Sequence, residues 1–387
     1  MNGTFRHGMV IGKFYPPHAG HHFLIRSAAA ACERVSVVAM ASDVESIPLH
    51  HRVAWLREAY ADQPHVAVIG WVDNLPTDYS DDAIWAGHVE LMQAAVDHGE
   101  HAGRPVDAVF TSEDYGAELA RRFGAADVRL DPVRSNFAVS GTAIRADPVA
   151  HWERIEPPVR GWFARRVVVL GAESTGTTTL ARDLAAALRE RGAAHALTQW
   201  VPEYGREFTV AKLAVAKAVA ATKAQANASP AVSDVVTTGA AGPTIFDLAW
   251  TDPDFEQVAR RQCADEDAAA RLGGPILVCD TDALATTVWQ LRYTGHITEP
   301  VRRIAARMPG RALYLLTSEV GVPFEDDGLR DGEHLRAWMN DEFRSLLASA
   351  DVPWLEVRGD GQERLQQALA AVDKVLAEGW RLADPLG

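Results

Sequence analysis

Short apolar runs alternate with longer segments of helical periodicity along this chain, and this alternation is the feature that most constrains its fold. In the first half the apolar runs fall at residues 8–12, 35–40, 66–70 and 106–110. A strand, an amphipathic helix and a second strand make up the βαβ unit, which builds parallel sheets. The first half therefore predicts an α/β domain around a parallel sheet.

A second series of apolar runs begins at residue 166 and continues at residues 275–280 and 311–316. Between the two series, residues 151–165 include tryptophan and proline pairs that are typical of a stiff, partly packed connection. We therefore predict two α/β parallel-sheet domains, at residues 1–150 and 166–387, joined by residues 151–165.

One stretch departs from this alternation. Residues 209–243 are rich in alanine, threonine, serine and valine and contain few aromatic residues. A segment of this composition buries little apolar surface. We predict a mobile insertion here, although its first part is also compatible with a helix.

The overall charge limits the partners of the chain. The sequence has 387 residues and a formal net charge of -14 at pH 7. Because nucleic acids and anionic membranes bind basic surfaces, this charge disfavours both as partners. No apolar stretch approaches the ~20 residues of a membrane span, and residues 1–7 lack the features of a secretory signal. We therefore expect a cytoplasmic protein that binds its anionic ligands at local sites.

The first glycine-rich turn joins the first predicted strand to a helix. Residues 12–21 read Gly-Lys-Phe-Tyr-Pro-Pro-His-Ala-Gly-His. At this edge of an open α/β sheet, the free N–H groups of a helix N-terminus bind anions. His18 and His21, spaced i and i+3, project from one side of that helix and can donate hydrogen bonds to a phosphoryl oxygen as charge develops. Lys13 adds a point charge, and it is the only lysine before Lys212.

Two interpretations of this turn are open. Isolated histidines at the start of a helix often serve only as caps. Here glycine, phenylalanine, proline and histidine hold fixed offsets at a strand-to-helix turn, which favours a nucleotide site. On that interpretation the ATP-binding residues of the turn are Gly12, Phe14 and Gly20, and the catalytic residues are Lys13, His18 and His21.

A second short motif lies at the start of a later predicted helix. Residues 140–145 read Ser-Gly-Thr-Ala-Ile-Arg. Ser140 suits an N-cap position, and Thr142 and Arg145 then face the phosphates of ATP. Taken alone the motif fits any capped surface helix, but together with the first turn it is specific. We predict that Ser140 and Thr142 bind ATP and that Arg145 is catalytic.

Residues 171–178 form a second glycine-rich turn, Gly-Ala-Glu-Ser-Thr-Gly-Thr-Thr, between a strand and a helix. Its spacing is that of a P-loop, whose backbone N–H groups cradle phosphates. Thr177 stands where P-loops carry lysine. The alternative is a glycine-rich turn without a ligand. On the P-loop interpretation the expected ATP-binding residues are Gly171, Ser174, Thr175, Gly176, Thr177, Thr178 and Thr179.

A carboxylate follows at the end of a later apolar run. Asp280 lies where a Walker-B aspartate holds Mg²⁺ in P-loop proteins. Hydroxyl and carboxylate oxygens are the ligands that Mg²⁺ prefers. We therefore predict Thr178 and Asp280 as magnesium ligands, with Asp280 also catalytic.

These motifs resemble those of known families. The first turn resembles the GxFxPxHxGH signature of the nucleotidyltransferase superfamily at Gly12, Phe14, Pro16, His18, Gly20 and His21. With the P-loop-like turn in the same chain, the sequence resembles the bifunctional NadR family, which joins a nicotinamide-nucleotide adenylyltransferase to a ribosylnicotinamide kinase. Further segments that look like family segments, in family order, lie at residues 111–116, 131–134, 203–208, 280–282 and 327–330.

The resemblance implies an N-terminal Rossmann-like nucleotidyltransferase domain and a C-terminal P-loop NTPase-like domain. It places Ser112 near the ribose of ATP, Glu203 and Asp280 near the riboside, and Arg330 in a mobile lid that binds ATP. It also implies substrate contacts for Tyr204, Arg206 and Asp282. The sequence departs from the family pattern at Thr177 and in the length of residues 209–243.

We therefore expect adenylyl transfer from ATP to nicotinamide mononucleotide, giving NAD and pyrophosphate, with Mg²⁺ as cofactor and ATP as co-substrate. The C-terminal domain is expected to phosphorylate nicotinamide riboside. Two alternatives remain open, because the motifs bind ATP and do not select the acceptor: another phosphorylated acceptor, or a C-terminal domain that binds nucleotide as a regulatory module without turnover. The expected partners are these small molecules, with no nucleic acid and no membrane, and a homo-oligomer stays open.

Overall fold

The structure is a computed structural model that describes residues 4–78, 80–131, 139–227 and 242–386. The chain divides into two compact units. The first unit comprises Met1–Phe163 together with Gly379–Gly387, and the second comprises Ala164–Glu378. In both units the described strands form a five-stranded sheet whose neighbours run parallel. The α/β fold class predicted from the sequence is confirmed.

The sheet of the first unit has the strand order β3-β2-β1-β4-β5. Its strands are Gly8–Gly12 (β1), Val35–Ala41 (β2), Val66–Val72 (β3), Ala108–Thr111 (β4) and Ala126–Arg129 (β5). Its helices are Ala19–Ala31 (α1), Leu49–Ala59 (α2), Asp82–His98 (α3), Gly116–Phe123 (α4), Gly141–Ala146 (α5) and Pro157–Phe163 (α6).

Burial on both faces explains why the strands of this sheet are apolar runs. Every residue of β2 is buried, as expected for a parallel strand covered by helices on both sides. Side chains that alternate along β1 enter two separate core clusters, with Val10 in one and Met9 and Ile11 in the other. Because β1 pairs with β2 on one side and β4 on the other, the strand order reverses there. Ligands bind at such a switch point, beyond the carboxyl ends of the strands.

The sheet of the second unit has the order β10-β9-β6-β8-β7. Its strands are Arg165–Leu170 (β6), Gln199–Val201 (β7), Ile276–Asp280 (β8), Arg311–Thr317 (β9) and Trp354–Val357 (β10). Its helices are Thr177–Arg189 (α7), Tyr204–Asn227 (α8), Asp252–Leu272 (α9), Ala283–Thr294 (α10), Glu299–Ala306 (α11), Arg336–Ala348 (α12) and Gly361–Glu378 (α13). The reversal falls at β6, between β8 and β9.

One feature of the fold differs from the sequence expectations. The segment that follows α13 packs with the first unit, where the sequence analysis had assigned it to the second domain. The indole N–H of Trp380 donates to the Phe163 carbonyl at 3.0 Å, and the two rings pack together. The first part of the expected mobile insertion is helical, as α8, and the remainder up to residue 241 lies outside the described residues.

The connection between the two predicted domains packs within the first unit. It contains a short 3-10 helix, Trp152–Arg154, followed by α6. Trp152 and Phe163 are both fully buried, so the segment forms part of a core. Among the described residues, no helix is both long and apolar enough to cross a bilayer.

Candidate active sites

A cavity of about 540 Å³ lies in the first unit, where β1 ends and α1 begins. It brings together residues from both predicted motifs, although they are more than a hundred positions apart in the chain. All ten site residues predicted for this unit line it: Gly12, Lys13, Phe14, His18, Gly20, His21, Ser112, Ser140, Thr142 and Arg145.

The two motif histidines lie side by side in this cavity. The imidazole rings of His18 and His21 stack with centroids 3.7 Å apart and planes 28° apart. His18 occupies the N-cap position of α1, but its side chain makes no capping hydrogen bond. The capping interpretation therefore fails for His18, and the stacked pair lines the cavity instead.

Two cationic side chains, Lys13 and Arg145, line the same end of this cavity. Arg145 donates from Nη1 to the Tyr15 carbonyl at 2.8 Å and from Nη2 to Thr142 Oγ1 at 3.3 Å. The close approach of α5 depends on Gly141, because a Cβ there would lie 2.8 Å from the Tyr15 carbonyl oxygen. The Lys13 ammonium lies 3.7 Å from a Glu45 carboxylate oxygen, and burial lowers the pKa of Lys13.

A buried ion pair that sequence reasoning missed supports this end of the cavity. Glu45 and Arg52, whose side chains are fully buried, form a salt bridge at 2.5 Å. Arg52 also donates to the Lys13 carbonyl at 2.9 Å, and its guanidinium lies over the Tyr15 ring at 4.4 Å. On the same ring, the Arg145 guanidinium lies 4.6 Å from the centroid. The backbone of the first turn is thus held by groups from a later segment of the chain.

Acidic and aromatic side chains also line this cavity, and the sequence analysis did not find them. They include Asp73, Asp78, Trp85 and Tyr115. His88 Nδ1 lies 2.6 Å from Asp73 Oδ2, and its Nε2 lies 3.1 Å from the Pro76 carbonyl oxygen. Asp73 and Asp78 lie in the β3–α3 connection, Trp85 and His88 in α3, and Tyr115 directly before α4.

The second unit contains a smaller cavity of about 130 Å³ where β6 and β8 end and α7 begins. It brings the P-loop-like turn together with segments from four later elements. The predicted residues that line it are Gly171, Ser174, Thr177, Thr178, Glu203, Arg206, Asp280 and Arg330.

Five other predicted residues do not line this cavity, namely Thr175, Gly176, Thr179, Tyr204 and Asp282. Asp282 caps α10 by accepting the Ala285 N–H, and it also pairs with Arg311 and accepts the Tyr314 hydroxyl at 2.9 Å. Its side chain has no exposed surface. The structure therefore gives Asp282 a structural role, in place of the expected substrate contact.

Two of those five side chains are engaged elsewhere. The Thr175 hydroxyl is buried against the Ala172 carbonyl at 2.7 Å and Thr317 Oγ1 at 2.6 Å. The Tyr204 ring lies 5.4 Å from the Arg261 guanidinium. Any part that Thr175 plays in nucleotide binding therefore belongs to its backbone.

Two carboxyl groups of this cavity have raised pKa values. Burial raises the pKa of Asp280 to about 6, although hydrogen bonds from the hydroxyls of Thr178 and Thr177 lower it. Burial, followed by the charge of Asp280, raises the pKa of Glu203 to about 8. The pair is therefore poised to hold and exchange protons near neutral pH.

Residues 318–335 contact the polar side chains of the P-loop-like turn. Arg330 Nη1 donates to Ser174 Oγ at 3.2 Å, and the Gly332 N–H donates to Glu173 Oε2 at 2.8 Å. Asp327 pairs with Arg206 and lies 3.6 Å from Arg330. The two arginines that face the cavity thus share one acidic partner.

An aromatic wall, which sequence reasoning also missed, lines the same cavity. Its members are Trp250, Phe255, Trp289 and Tyr293. The rings of Trp250 and Tyr293 are 4.9 Å apart, and those of Trp250 and Phe255 are 5.5 Å apart. The wall comes from α9, α10 and the segment before α9.

Family models match both units. A cytidylyltransferase-like model matches residues 9–147, and an AAA domain model matches residues 166–364. The "Trifunctional NAD biosynthesis/regulator protein NadR" of Escherichia coli strain K12 is 24% identical over 337 residues, which cover 84% of this chain and 71% of that protein. The protein of the same name from Salmonella typhimurium strain LT2 gives the same identity and coverage.

Solved structures share the fold over the full length. A crystal structure of NadR protein in complex with NR covers 99% of both chains with a TM-score of 0.67 and 21% identity. A second, in complex with NAD and AMP-PNP, covers 99% of this chain and 100% of that chain with a TM-score of 0.69 and 21% identity. Fold and sites together define a nucleotidyltransferase domain joined to a P-loop domain. The chain belongs to the NadR family, as the resemblance of its motifs predicted.

Proposed function

We propose that the first unit transfers the adenylyl group of ATP to nicotinamide mononucleotide, giving NAD and pyrophosphate. The observation that carries this proposal is the meeting of Lys13, His18, His21 and Arg145 in one cavity beyond the end of β1. The relatives named above are NAD biosynthesis proteins, which accords with this product.

The chemistry is an in-line displacement at phosphorus. A phosphate oxygen of the acceptor attacks the α-phosphorus of ATP, and the bond from that phosphorus to the bridging oxygen of the β-phosphate breaks. Pyrophosphate leaves with the electron pair, so no side-chain nucleophile is required. Lys13 and Arg145 balance the charge that builds on the phosphates, and the stacked histidines donate hydrogen bonds to it.

The acceptor end of the cavity suits a cationic ring. Nicotinamide mononucleotide carries a positively charged pyridinium, which carboxylates attract and aromatic faces stabilise. Asp73, Asp78, Trp85 and Tyr115 supply both kinds of group. Phosphopantetheine, one example of another phosphorylated acceptor, has no cation that would use them.

We propose that the second unit transfers the γ-phosphoryl group of ATP to the 5′-hydroxyl of nicotinamide riboside, giving ADP and nicotinamide mononucleotide. The hydroxyl oxygen attacks the γ-phosphorus, the bond to the bridging oxygen breaks, and ADP leaves. Glu203 takes the hydroxyl proton, because burial and the charge of Asp280 raise its pKa to about 8. The aromatic wall offers the pyridinium a surface for cation–π contact.

The groups around Asp280 fit a magnesium ion. Its carboxylate lies beside the Thr178 hydroxyl at the end of β8, and Mg²⁺ is commonly held by one or two protein oxygens together with phosphate oxygens and water. When bound there, Mg²⁺ neutralises charge on the β- and γ-phosphates. Thr178 and Asp280 would hold it.

One assay separates the two reactions. Adenylyl transfer releases pyrophosphate, whereas the kinase step releases ADP. The full chain is incubated with Mg·ATP and either nicotinamide mononucleotide or nicotinamide riboside, and the products are identified by mass. Pyrophosphate with NAD supports the first proposal, and ADP with nicotinamide mononucleotide supports the second. His18→Ala should strongly slow only the first reaction, and Asp280→Asn only the second.

A second candidate function for this unit is nucleotide binding without turnover, because Thr177 stands where P-loops carry lysine. In that case the native chain binds Mg·ADP at the P-loop-like turn but forms no ADP from ATP and riboside. The two outcomes are exclusive in the same assay.

Location, domain organisation and assembly complete the proposal. The three cysteines are free, which suits the reducing cytoplasm. We propose that residues 1–150 act as the adenylyltransferase domain and residues 166–378 as the kinase domain, with the segment from Gly379 belonging to the first unit. A homo-oligomer is compatible with both sites, since each cavity is built within one unit.

A further inference from the structure

Two arginines contact the backbone carbonyls of the P-loop-like turn. Arg336, at the start of α12, donates from Nη2 to the Ser174 carbonyl at 3.1 Å. Arg364, in the first turn of α13, donates from Nη1 to the Thr175 carbonyl at 2.6 Å. Neither side chain lines the cavity, so both hold the turn from its carbonyl side.

Both guanidinium groups are buried without a carboxylate. Arg336 is 9% exposed and Arg364 is 6% exposed. Among the described residues their other acceptors are backbone carbonyls, namely that of Val322 for Arg336 and those of Gly359 and Ser318 for Arg364. Within the described residues neither forms a salt bridge. Burial and the charge of Arg336 lower the pKa of Arg364.

Two like charges in one buried region call for a compensating anion. An unpaired buried charge is costly unless an opposite charge approaches it. Both arginines contact the P-loop-like turn, whose spacing is suited to an anion. By contrast, Arg206 and Arg330, which face the cavity, are already paired with Asp327.

The contacts also act on the N–H groups of the turn. The Ser174 carbonyl belongs to the same peptide unit as the Thr175 N–H, and the Thr175 carbonyl to the same unit as the Gly176 N–H. A cation at the oxygen of a peptide unit polarises its N–H into a stronger donor. In a P-loop such N–H groups bind the phosphates. Arg364 lies close to the turn, since a Cβ at Gly176 would be 3.8 Å from its Nη1.

We propose that Arg336 and Arg364 are positioning residues for the polyphosphate of the nucleotide and supply the positive charge that a lysine at position 177 supplies in other P-loops. The proposal rests on the assignment of a nucleotide to the second unit. It explains how a turn that carries Thr177 binds a polyphosphate without a cation of its own.

The test measures nucleotide binding at this turn specifically, because the first unit also binds nucleotide. Hydrogen exchange of peptides covering residues 171–180 is followed in the full chain during titration with Mg·ADP. Arg336→Gln and Arg364→Gln should each weaken binding about tenfold, the cost of one charge-assisted hydrogen bond. Arg364→Lys, which keeps the charge, should lose less. Arg260→Gln is the matched control, since Arg260 is exposed and, among the described residues, forms its salt bridge with Glu256 on the surface of α9.

A rescue variant separates charge from scaffolding. Adding Thr177→Lys to Arg336→Gln places a cation in the turn and should restore most of the lost affinity, whereas it cannot restore a broken backbone contact. Unchanged affinity in Arg336→Gln, or a loss that Thr177→Lys leaves uncorrected, overturns the proposal. Failure of the kinase assignment is visible separately: the native chain would then protect the turn with Mg·ADP yet form no ADP from ATP and riboside.

Discussion

The Lys13 ammonium donates a hydrogen bond to the backbone carbonyl of Leu386 at 2.6 Å. The segment that contains Leu386 crosses the cavity of the first unit, and Pro385 and Leu386 form part of its lining. The segment is held by Ala383, whose carbonyl accepts the Tyr15 hydroxyl at 2.8 Å. The cation that we propose acts on the phosphates of ATP is therefore engaged by the chain itself.

We predict that ending the chain after Leu382 lowers the KM for ATP in adenylyl transfer. Lys13 must exchange the Leu386 carbonyl for a phosphate oxygen, and Asp384, which lies 3.9 Å from Arg145, adds a competing negative charge. Removing both should lower KM roughly three- to tenfold, the worth of about one hydrogen bond. Pyrophosphate release at varied ATP measures it. Trp380 is retained as the anchor, and an unchanged or higher KM would show that the segment does not compete.

We predict that His18→Ala and His21→Ala lower the turnover number of adenylyl transfer by about 10²- to 10³-fold, while the KM for ATP changes little. Donors placed where charge develops act mainly on the transition state. The stacked rings place both donors in the same cavity. His50→Ala, at an exposed position in α2, is the control. Near-native turnover in either variant removes that histidine from the mechanism.

The sequence predicted those parts of the two sites that lie within one short segment of the chain. The turn at residues 12–21 and the turn at residues 171–178 each lie between one strand and one helix, so their spacing alone indicates a ligand. The strand order supports the same sites, because β1 and β6 lie where the strand order reverses and ligands bind at such points.

The parts that the sequence concealed depend on long-range packing. The Glu45–Arg52 pair matches no motif. It matters because Arg52 donates to the Lys13 carbonyl, and these two residues are 39 positions apart in the chain. Asp282 was misjudged because its neighbour Asp280 enters the cavity, while the strand end turns Asp282 to cap α10. The crossing by residues 383–386 follows from the return of the chain to the first unit, which no local pattern encodes.

We predict that Glu203→Gln raises the melting temperature of the metal-free protein, by an amount that grows with pH. Below pH 4.5 the carboxyl is protonated in both states, so the substitution changes little. Because the folded pKa is about 8, the unfolded state alone loses this proton as pH rises from 4.5 towards 8, and native stability falls. The glutamine variant escapes that loss and should melt a few degrees higher at pH 8.

Scanning calorimetry at pH 4.5, 6 and 8 provides this measurement. Glu207→Gln, at an exposed position in α8, the helix that begins directly after Glu203, is the control and should show no such trend. A difference in melting temperature that is constant with pH would mean that the Glu203 carboxyl does not titrate differently in the folded state.

The last prediction concerns Asp327, the acidic partner shared by Arg206 and Arg330. While both guanidinium groups are paired with this carboxylate, their charge is partly cancelled, and the γ-phosphate must displace Asp327 to reach them. Asp327→Asn removes the competitor, so the KM for ATP in riboside phosphorylation should fall about two- to fivefold, within the usual worth of a partly exposed ion pair. Asp326→Asn is a closely matched control, because it makes the same charge change at the adjacent residue, whose carboxylate accepts only the Gly328 N–H among the described contacts. ADP formation at varied ATP measures both variants. If Asp327→Asn instead raises KM while Asp326→Asn leaves it unchanged, Asp327 orients the two arginines towards the nucleotide and does not hold them away from it.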